Sequence, residues 1–435
     1  MKKKRIAALA AAVLMLTLCC TAFAADGADL AGKTPSGIAA DGDGILFTDL
    51  FGRVIWRLDG GAAARFAGRI MPAGADGTPA AVYTDGSRDE AGFAEPWAIV
   101  RFMEGWAVSD AGADAIRYID ENGVYTLAGA EAHFDRPTGL ACDGENLYIA
   151  DTGSGSIRKM TPEGKLSEYV SGLDQPTGLC WADGVLYAAE TGKNRIVRIA
   201  GGKTETVSGI AEPAEEDEVY LGGYADGPVA AARFDAPLGV AADADGNIYV
   251  ADTNNSAVRL IKDGRVYTIA PAADGSVSPV KPRGLLISDG TVYVTDLTGE
   301  TILAVDAERG VYSDVPQDGF WAGYVREADL RGMITGTGEG LFSPSKSVTR
   351  AEFLVMISRM HRCADGNAVI NGDGGFSDML GEEWYAPAAR WAADMGVTKG
   401  EAGGVFNASR EIPRQQLVTM LYRYAEANGY DVSAS

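Results

Sequence analysis

The sequence predicts an all-β six-bladed propeller followed by a C-terminal α-helical region. The first observation is a unit of four β-rich runs at 239–241, 248–251, 258–261 and 266–269, with tight-turn signals such as Asp245-Gly246 and Asp263-Gly264 between them. The second is that this unit recurs six times. The third is a change from period-two to helical spacing of apolar residues after residue 311.

Each of the six repeats has a proline and, 14 residues later, an acidic residue; the interval is 15 in the fifth repeat. The prolines are Pro35, Pro96, Pro137, Pro176, Pro237 and Pro282. The acidic residues are Asp49, Asp110, Asp151, Glu190, Asp252 and Asp296. A single four-stranded sheet cannot bury two apolar faces, so the sheets must stack, and six stacked around an axis close into a propeller.

The six repeated carboxylates allow two interpretations. They could form a ring of ligands, but a carboxylate followed by Thr, Gly or Asn more often accepts hydrogen bonds from the turn after its own strand. We therefore predict a structural role for them and expect binding residues where the repeats differ. The candidates are Trp97, Arg101, Trp106, Trp181 and Arg283. For each tryptophan, packing between blades is the alternative.

The N-terminus has the features of a secretory signal. Four basic residues at 2–5 precede an apolar run at 6–18, and Ala22-Phe23-Ala24 provides a cleavage pattern. The net charge of −22 excludes nucleic acid and anionic lipid as favoured partners. We expect an exported chain, cleaved after residue 24, without a membrane span.

Cysteine usage does not indicate a disulfide framework. Cys142 and Cys180 occupy near-equivalent first-strand positions in neighbouring repeats. We expect them to be small core residues rather than a bridge.

Two long connections, 68–93 and 201–234, end alike. One ends in Tyr83-Thr84-Asp85-Gly86 with Phe93, the other in Tyr224-Ala225-Asp226-Gly227 with Phe234. These residues, and the Val250-Ala251-Asp252 strand with its Asn-containing turn, resemble the NHL-repeat family. The resemblance covers about residues 30–312. It departs at Trp97-Ala98, where x-Gly is usual, and at Glu190, where Asp is usual.

The resemblance implies binding of a ligand or partner, whereas some similar six-bladed folds are lactonases or lyases. The propeller has one histidine, His133, on a connection between blades, so a site of several imidazoles is excluded. We predict no metal site and no cofactor, and leave oxygen-ligated calcium open. The alternative function is a wall-anchored, lactonase-like hydrolase or lyase that depends on calcium.

The helical region contains two copies of one pattern. Trp321, Tyr324, Val325 and Ala328 share a helix face, and Thr349-Arg350-Ala351-Glu352 forms a capping box. The interval from Asp314 to Arg350 equals that from Asp378 to Arg414.

These copies resemble S-layer homology (SLH) domains, through Tyr312-Ser313-Asp314-Val315, Phe376-Ser377-Asp378-Met379 and the capping-box signature. The second copy keeps Arg414 but lacks the Thr and Glu. The resemblance implies non-covalent binding to pyruvylated secondary cell-wall polysaccharide, with the signature arginine on the pyruvate ketal. The predicted contact residues are Arg350, Arg414, Trp321 and Trp384. We also expect helix-terminal amides beside Arg350 to act on the anion.

The predicted organisation is a signal peptide (1–24), a propeller (25–312), a first SLH module (313–363), a linker (364–375) and a second SLH module (376–430). The predicted function is a secreted protein of a bacterial cell wall or S-layer. Its propeller binds a protein or carbohydrate, and its SLH modules attach it to the wall polymer.

Overall fold

The computed structural model describes residues 28–72, 74, 79–211, 220–269, 281–288, 290–298, 300–306, 312–316, 321–330, 333–334, 336–338, 341–364, 376–379 and 383–430. The predicted signal peptide, and the predicted linker apart from its first residue, lie outside these ranges. The chain divides into two compact units: residues 1–271 and 276–307 form the first, and residues 272–275 and 308–435 form the second.

The first unit is a six-bladed β-propeller made of antiparallel sheets. Blade 1 has β2 (Pro35–Asp41), β3 (Gly44–Asp49), β4 (Val54–Asp59) and β5 (Ala62–Ala67). Blade 2 has β6 (Pro96–Phe102), β7 (Gly105–Asp110), β8 (Ala115–Ile119) and β9 (Val124–Ala128). Blade 3 has β10 (Pro137–Cys142), β11 (Leu147–Asp151), β12 (Ser156–Met160) and β13 (Leu166–Ser171).

The remaining blades follow the same order. Blade 4 has β14 (Pro176–Ala182), β15 (Val185–Glu190), β16 (Arg195–Ala200) and β17 (Lys203–Ser208). Blade 5 has β19 (Pro237–Ala242), β20 (Ile248–Asp252), β21 (Ala257–Lys262) and β22 (Arg265–Ile269), with β18 (Gly227–Pro228) added at its outer edge. Blade 6 has β23 (Pro282–Ser288), β24 (Thr291–Asp296) and β25 (Thr301–Asp306).

The outer strand of blade 6 comes from the other end of the propeller sequence. Strand β1 (Ala28–Asp29) pairs with β25, with Ala28 opposite Ile302. Each blade therefore contains the four strands expected from the repeats, but the outer strand of blade 6 is β1, which precedes blade 1 in the sequence. This exchange fastens the first and last blades together through backbone hydrogen bonds.

The repeat spacing has a direct structural cause. Every first strand begins at the repeat proline, and that proline pairs with the acidic residue at the end of the second strand, as Pro35 does with Asp49. A register shift follows each proline. The second residue after the proline is glycine in five blades, because the neighbouring blade leaves no room for a side chain there. A Cβ on Gly139, for example, would lie 1.9 Å from the Thr177 carbonyl oxygen.

A closed ring of hydroxyl groups joins the blades. In each blade a Thr or Ser beside the acidic residue donates a hydrogen bond to a carbonyl of the next first strand, and the last, Thr295, donates to Ser36 of blade 1. The other donors are Thr48, Ser109, Thr152, Thr191 and Thr253. In five of the six the donor and acceptor atoms are 2.6–3.0 Å apart. At about 1 kcal/mol each, these bonds help to fix the closed ring.

Six apolar clusters lie between neighbouring blades. The cluster between blades 6 and 1, for example, joins Ile302 to Ile45 and Phe47, all at most 3% exposed. Equivalent clusters fill the other five gaps. Cys142 and Cys180 pack against two of these clusters as free thiols, and burial raises the pKa of both.

The two long connections are fastened by buried arginines. Arg259 is 0% exposed, and its guanidinium lies 4.8 Å from the Tyr224 ring centroid and 5.2 Å from that of Phe234. It also pairs with Asp226 at 2.6 Å and with Asp252 at 2.6 Å. Arg117 has the matching contacts in blade 2, with Tyr83, Phe93, Asp85 and Asp110. The shared Tyr-x-Asp-Gly and Phe pattern therefore encloses an arginine of the third strand.

The second unit is helical, with α1 (Ala322–Leu330), α2 (Arg350–Ala364), α3 (Ala386–Asp394) and α4 (Arg414–Ala427). The capping box forms before α2: Glu352 N–H donates to Thr349 Oγ1 at 3.3 Å and Thr349 N–H to Glu352 Oε2 at 2.8 Å. Among the described residues, no helix combines the length and apolar character that crossing a bilayer requires.

The two sequence repeats of this unit are two structural repeats. Asp314 accepts hydrogen bonds from the Phe342 and Ser343 amides, and Asp378 accepts them from Phe406 and Asn407. Each aspartate thereby holds the loop before its repeat's last helix. The repeats pack together through a core in which Leu354 and Ile357 of α2 meet Trp391 and Phe406.

Candidate functional site

A groove beside the start of α2 lies between the two helical repeats. Its volume is about 270 Å³. It is lined by Arg350, Thr398, Lys399, Gly400, Gln415, Gln416, Thr419, Met420 and Arg423. Three of these residues are basic and none is acidic, although the chain has 60 acidic residues. We refer to it as the Arg350 groove.

Arg350 is 2% exposed, and its guanidinium is held on two sides. Nε donates to the Phe406 carbonyl at 2.9 Å, and Nη1 donates to Gln416 Oε1 at 2.7 Å. Nη2 is buried and has no hydrogen-bond partner among the residues that the structure describes. Burial lowers the pKa of Arg350, and the guanidinium stays charged at neutral pH. The described residues therefore leave one donor group of a fixed cation unused.

The helix-terminal amides beside Arg350 are already occupied, contrary to expectation. Arg350 N–H donates to the Arg410 carbonyl at 2.9 Å, and Ala351 N–H to the Ala408 carbonyl at 3.0 Å. The Glu352 amide is taken by Thr349. The second repeat thus caps α2, and an anion at this site depends on side chains.

An equivalent groove exists on the first repeat, where residue n corresponds to n + 64 of the second, as Arg350 does to Arg414. Its volume is about 380 Å³. Ile334, Gly336, Glu352, Val355, Met356 and Arg359 take the places of Thr398, Gly400, Gln416, Thr419, Met420 and Arg423. This groove contains a carboxylate, that of Glu352. In the second repeat Gln416 replaces the signature Glu, so the corresponding carboxylate is missing from the residues that line the Arg350 groove. The carboxylates of Glu401 and Asp378 lie close enough to act electrostatically on Arg350.

The other predicted wall-contact residues lie elsewhere. Trp384 is 65% exposed and lines the first-repeat groove. Trp321 is half-buried against the small core of the first repeat. Arg414 is exposed, on a helix face that also exposes Val418 and Leu421. The structure therefore does not bring the four together.

Sequence reasoning missed Lys399 and Arg423, the two other cations of the Arg350 groove. Lys399 follows α3, and Arg423 lies in the interior of α4. No motif marks either one, and only the packing of the two repeats brings them to Arg350.

The six repeated carboxylates of the propeller bind backbone. Each accepts a hydrogen bond from an amide just before its own blade's first strand, as Asp252 does from Asp235 N–H at 2.8 Å. The same bond is made by Asp49, Asp110, Asp151, Glu190 and Asp296. A backbone donor in the following turn, as expected from sequence, is added at Asp49 and Asp296.

The residues at which the repeats differ have two different surroundings. Trp106 is 4% exposed in the cluster between blades 1 and 2, with Arg101 over its ring, and Trp181 stacks on Tyr148 between blades 3 and 4. Trp97 and Arg283 instead meet at the propeller axis, with the guanidinium 3.8 Å from the ring centroid.

His133 is exposed after a short 3₁₀ turn, Ala130–Ala132, between blades 2 and 3. Within the described ranges, no group of three or more His, Cys, Asp or Glu side chains is placed to hold a metal ion.

Two family models match the chain. The NHL repeat model matches residues 234–259, and the S-layer homology domain model matches residues 311–354 and 375–418. A solved structure, a structural genomics protein of unknown function from Bacteroides thetaiotaomicron, matches 65% of this chain and 72% of its own. Its TM-score is 0.48 and its sequence identity 18%.

Three curated relatives resemble part of the chain. An endoglucanase of Bacillus sp. (strain KSM-635) is 31% identical over 115 residues, 26% of this chain and 12% of the relative. A cellulosome-anchoring protein of Acetivibrio thermocellus is 27% identical over 118 residues, 27% and 25%. A surface layer protein of Brevibacillus choshinensis is 28% identical over 109 residues, 25% and 10%. The chain thus spans a quarter or less of each relative's length.

The chain carries an NHL repeat within a six-bladed β-propeller and two S-layer homology domains, and this combination indicates a cell-surface protein.

Proposed function

We propose that the SLH region attaches the chain non-covalently to an acidic cell-wall polysaccharide, through a pyruvate ketal bound in the Arg350 groove. The observation that carries this proposal is the buried Nη2 of Arg350, which has no hydrogen-bond partner in the described part of the chain and belongs to a residue that lines a groove with three cations and no carboxylate among its described lining residues. Leaving such a donor unpaired costs about 1–3 kcal/mol, so an anionic ligand is favoured there.

The resemblance to SLH domains implies a pyruvate ketal as the ligand, and the lining residues suit this group. A pyruvate ketal presents one carboxylate on a neutral sugar ring. Nη2 of Arg350 can donate to the carboxylate, and the exposed Lys399 and the half-buried Arg423 add positive charge to the groove. The exposed Gln415 provides an amide suited to sugar hydroxyls. The names of the cellulosome-anchoring and surface layer relatives agree with an attachment role.

The test measures binding of purified full-length protein to native wall polymer and to polymer stripped of pyruvate. We expect Arg350→Lys to weaken binding by about 10-fold or more, because a lysine cannot hold Phe406 and Gln416 and also reach the ligand. Arg423→Gln should weaken binding without removing a buried contact. It therefore reports on the groove even if Arg350→Lys loosens the module interface.

Arg414→Lys is the matched control, because it changes the equivalent arginine on an exposed helix face. We expect it to change binding by less than about 3-fold. Equal binding by wild type and Arg423→Gln, or equal binding to both polymers, would contradict the proposal.

We propose that the propeller is the binding domain for a protein or carbohydrate partner, held at the cell surface by the SLH region. In support, the repeated carboxylates are used by backbone, and residue identity varies where the first strands meet at the axis. A peptide and glycan array probed with the full chain tests this, and no selective binder on the array would contradict it.

A further inference from the structure

The six first strands of the propeller surround a central channel. Each contacts the first strands of both neighbouring blades, and all six line one cavity of about 80 Å³. The residue directly after each repeat proline lies at one end of this channel. These residues are Ser36, Trp97, Thr138, Thr177, Leu238 and Arg283. We refer to them as the axial mouth.

The axial mouth is the least uniform part of an otherwise repetitive fold. Four of its positions hold small or aliphatic residues, and Thr138 and Thr177 are tied by hydroxyl bonds to Thr152 and Thr191. The remaining two hold Trp97 and Arg283, whose side chains meet across blade 1, which lies between blades 2 and 6. The separation of 3.8 Å between guanidinium and ring centroid is well within the range of about 6 Å over which a cation–π contact is attractive.

The hydrogen-bond donors of Arg283 have few partners in the described part of the chain. Its one hydrogen bond to a described residue runs from Nη1 to Ser36 Oγ at 3.4 Å, which is long. Its Nε is buried and has no partner in the described part of the chain. No described carboxylate pairs with it, and the acid that attracts it, Glu95, is paired with Arg136 at 3.1 Å.

This contrasts with the two arginines that are 0% exposed in the described part of the propeller. Arg117 and Arg259 each hold two carboxylates and two aromatic rings. Two buried guanidinium groups of this fold are therefore paired with carboxylates, whereas that of Arg283, at the axis, is paired with no described carboxylate. Burial without a counter-ion lowers the pKa of Arg283 to about 10, so it remains a cation at neutral pH.

We propose that the axial mouth binds a ligand that bears a carboxylate, with the carboxylate on Arg283 and the adjoining part of the ligand against Trp97. Among the described residues that line the cavity, Arg283 is the one with a charged side chain. The cavity has room for a small acidic group, so the rest of the ligand lies over the mouth. This inference rests on the proposed binding role of the propeller and is independent of wall attachment.

The test is calorimetric titration of the full-length protein with glucuronate and with benzoate. Their neutral counterparts glucose and benzamide, and inorganic phosphate, are the comparison probes. We expect at least one carboxylate to bind and its neutral counterpart to bind about 10-fold more weakly or not at all. Arg283→Gln should weaken the carboxylate by a similar factor. Arg198→Gln, which changes an exposed arginine on the third strand of blade 4, should leave affinity within about 2-fold.

Four outcomes would overturn the proposal: no carboxylate binding, equal binding of acid and neutral probe, stronger binding of phosphate, or unchanged affinity in Arg283→Gln. If Arg283 merely plugs the channel, Arg283→Gln changes the melting temperature and leaves carboxylate affinity unchanged. A partner found on the array that still binds Arg283→Gln would contradict this inference, whereas the proposed binding role of the propeller would remain.

Discussion

Removing one partner of the buried pair of Asp252 and Arg259 should be one of the most destabilising single changes in the propeller. Both side chains are 0% exposed, and their charged atoms are 2.6 Å apart. Asp252 also accepts from the Asp235 amide at 2.8 Å and from Asn255 Nδ2 at 2.9 Å. Asp252→Ala removes all three bonds and leaves a buried guanidinium with one carboxylate.

The expected cost of Asp252→Ala is about 3–5 kcal/mol, the usual result of breaking a buried ion pair by removing one partner. At roughly 2 °C per kcal/mol for a domain of this size, the propeller transition should fall by about 6–10 °C. Differential scanning calorimetry of the full chain measures this. The transition of the SLH unit serves as an internal reference.

Two variants separate the ion pair from general damage. Asp226, the other carboxylate that contacts Arg259, is 38% exposed, so solvent screens its interaction with the guanidinium. Asp226→Ala should therefore lower the stability by less than Asp252→Ala does. The double variant Asp252→Ala/Arg259→Met removes both charges and should be less destabilised than the sum of the single changes. A loss for Asp252→Ala no greater than that for Asp226→Ala, or strict additivity in the double variant, would refute the reasoning.

Three further predictions concern single residues. Burial raises the pKa of Glu190, but hydrogen bonds from Arg195, Lys193 and the Asp174 amide outweigh it and lower the pKa below its ordinary value. Its stabilisation should therefore be complete above about pH 5 and be lost as pH falls through the folded-state pKa, so wild type should lose its advantage over Glu190→Gln in acid melts. Thr349→Ala should cost about 1 kcal/mol by removing the cap of α2, measured by urea unfolding followed by circular dichroism, whereas the exposed Ser345→Ala should stay within about 0.5 kcal/mol. His133→Ala should leave array binding and melting temperature unchanged, and loss of a measured activity with the fold retained would favour an enzymatic role.

The sequence was most informative where one residue type recurs for one local reason. The prolines and carboxylates mark the paired ends of two strands, so their spacing predicted the blades and their number. The Thr349–Glu352 capping box could be predicted equally well, because both residues lie within one helical turn. In each case the interaction that fixes the residue is local or repeated six times.

The features that escaped prediction depend on distant packing. Strand β1 has two residues and no hydrophobic pattern, so nothing in the sequence marks its pairing with Ile302 and Thr301. The ring of hydroxyl hydrogen bonds could not be predicted because its donors have no fixed place in the repeat: Thr48 precedes its carboxylate in the sequence, whereas Thr152 follows it. Arg350, at a helix start, would be exposed on an isolated module and is buried by the second repeat.

The most direct test of the central claim is the affinity of full-length protein for native wall polymer, compared with the same polymer after removal of its pyruvate. Wild type should bind native polymer at least about 10-fold more tightly, and Arg423→Gln should lose most of this difference while Arg414→Lys keeps it. Equal affinity of wild type for the two polymers, or a difference that survives Arg423→Gln in full, would contradict attachment through the Arg350 groove.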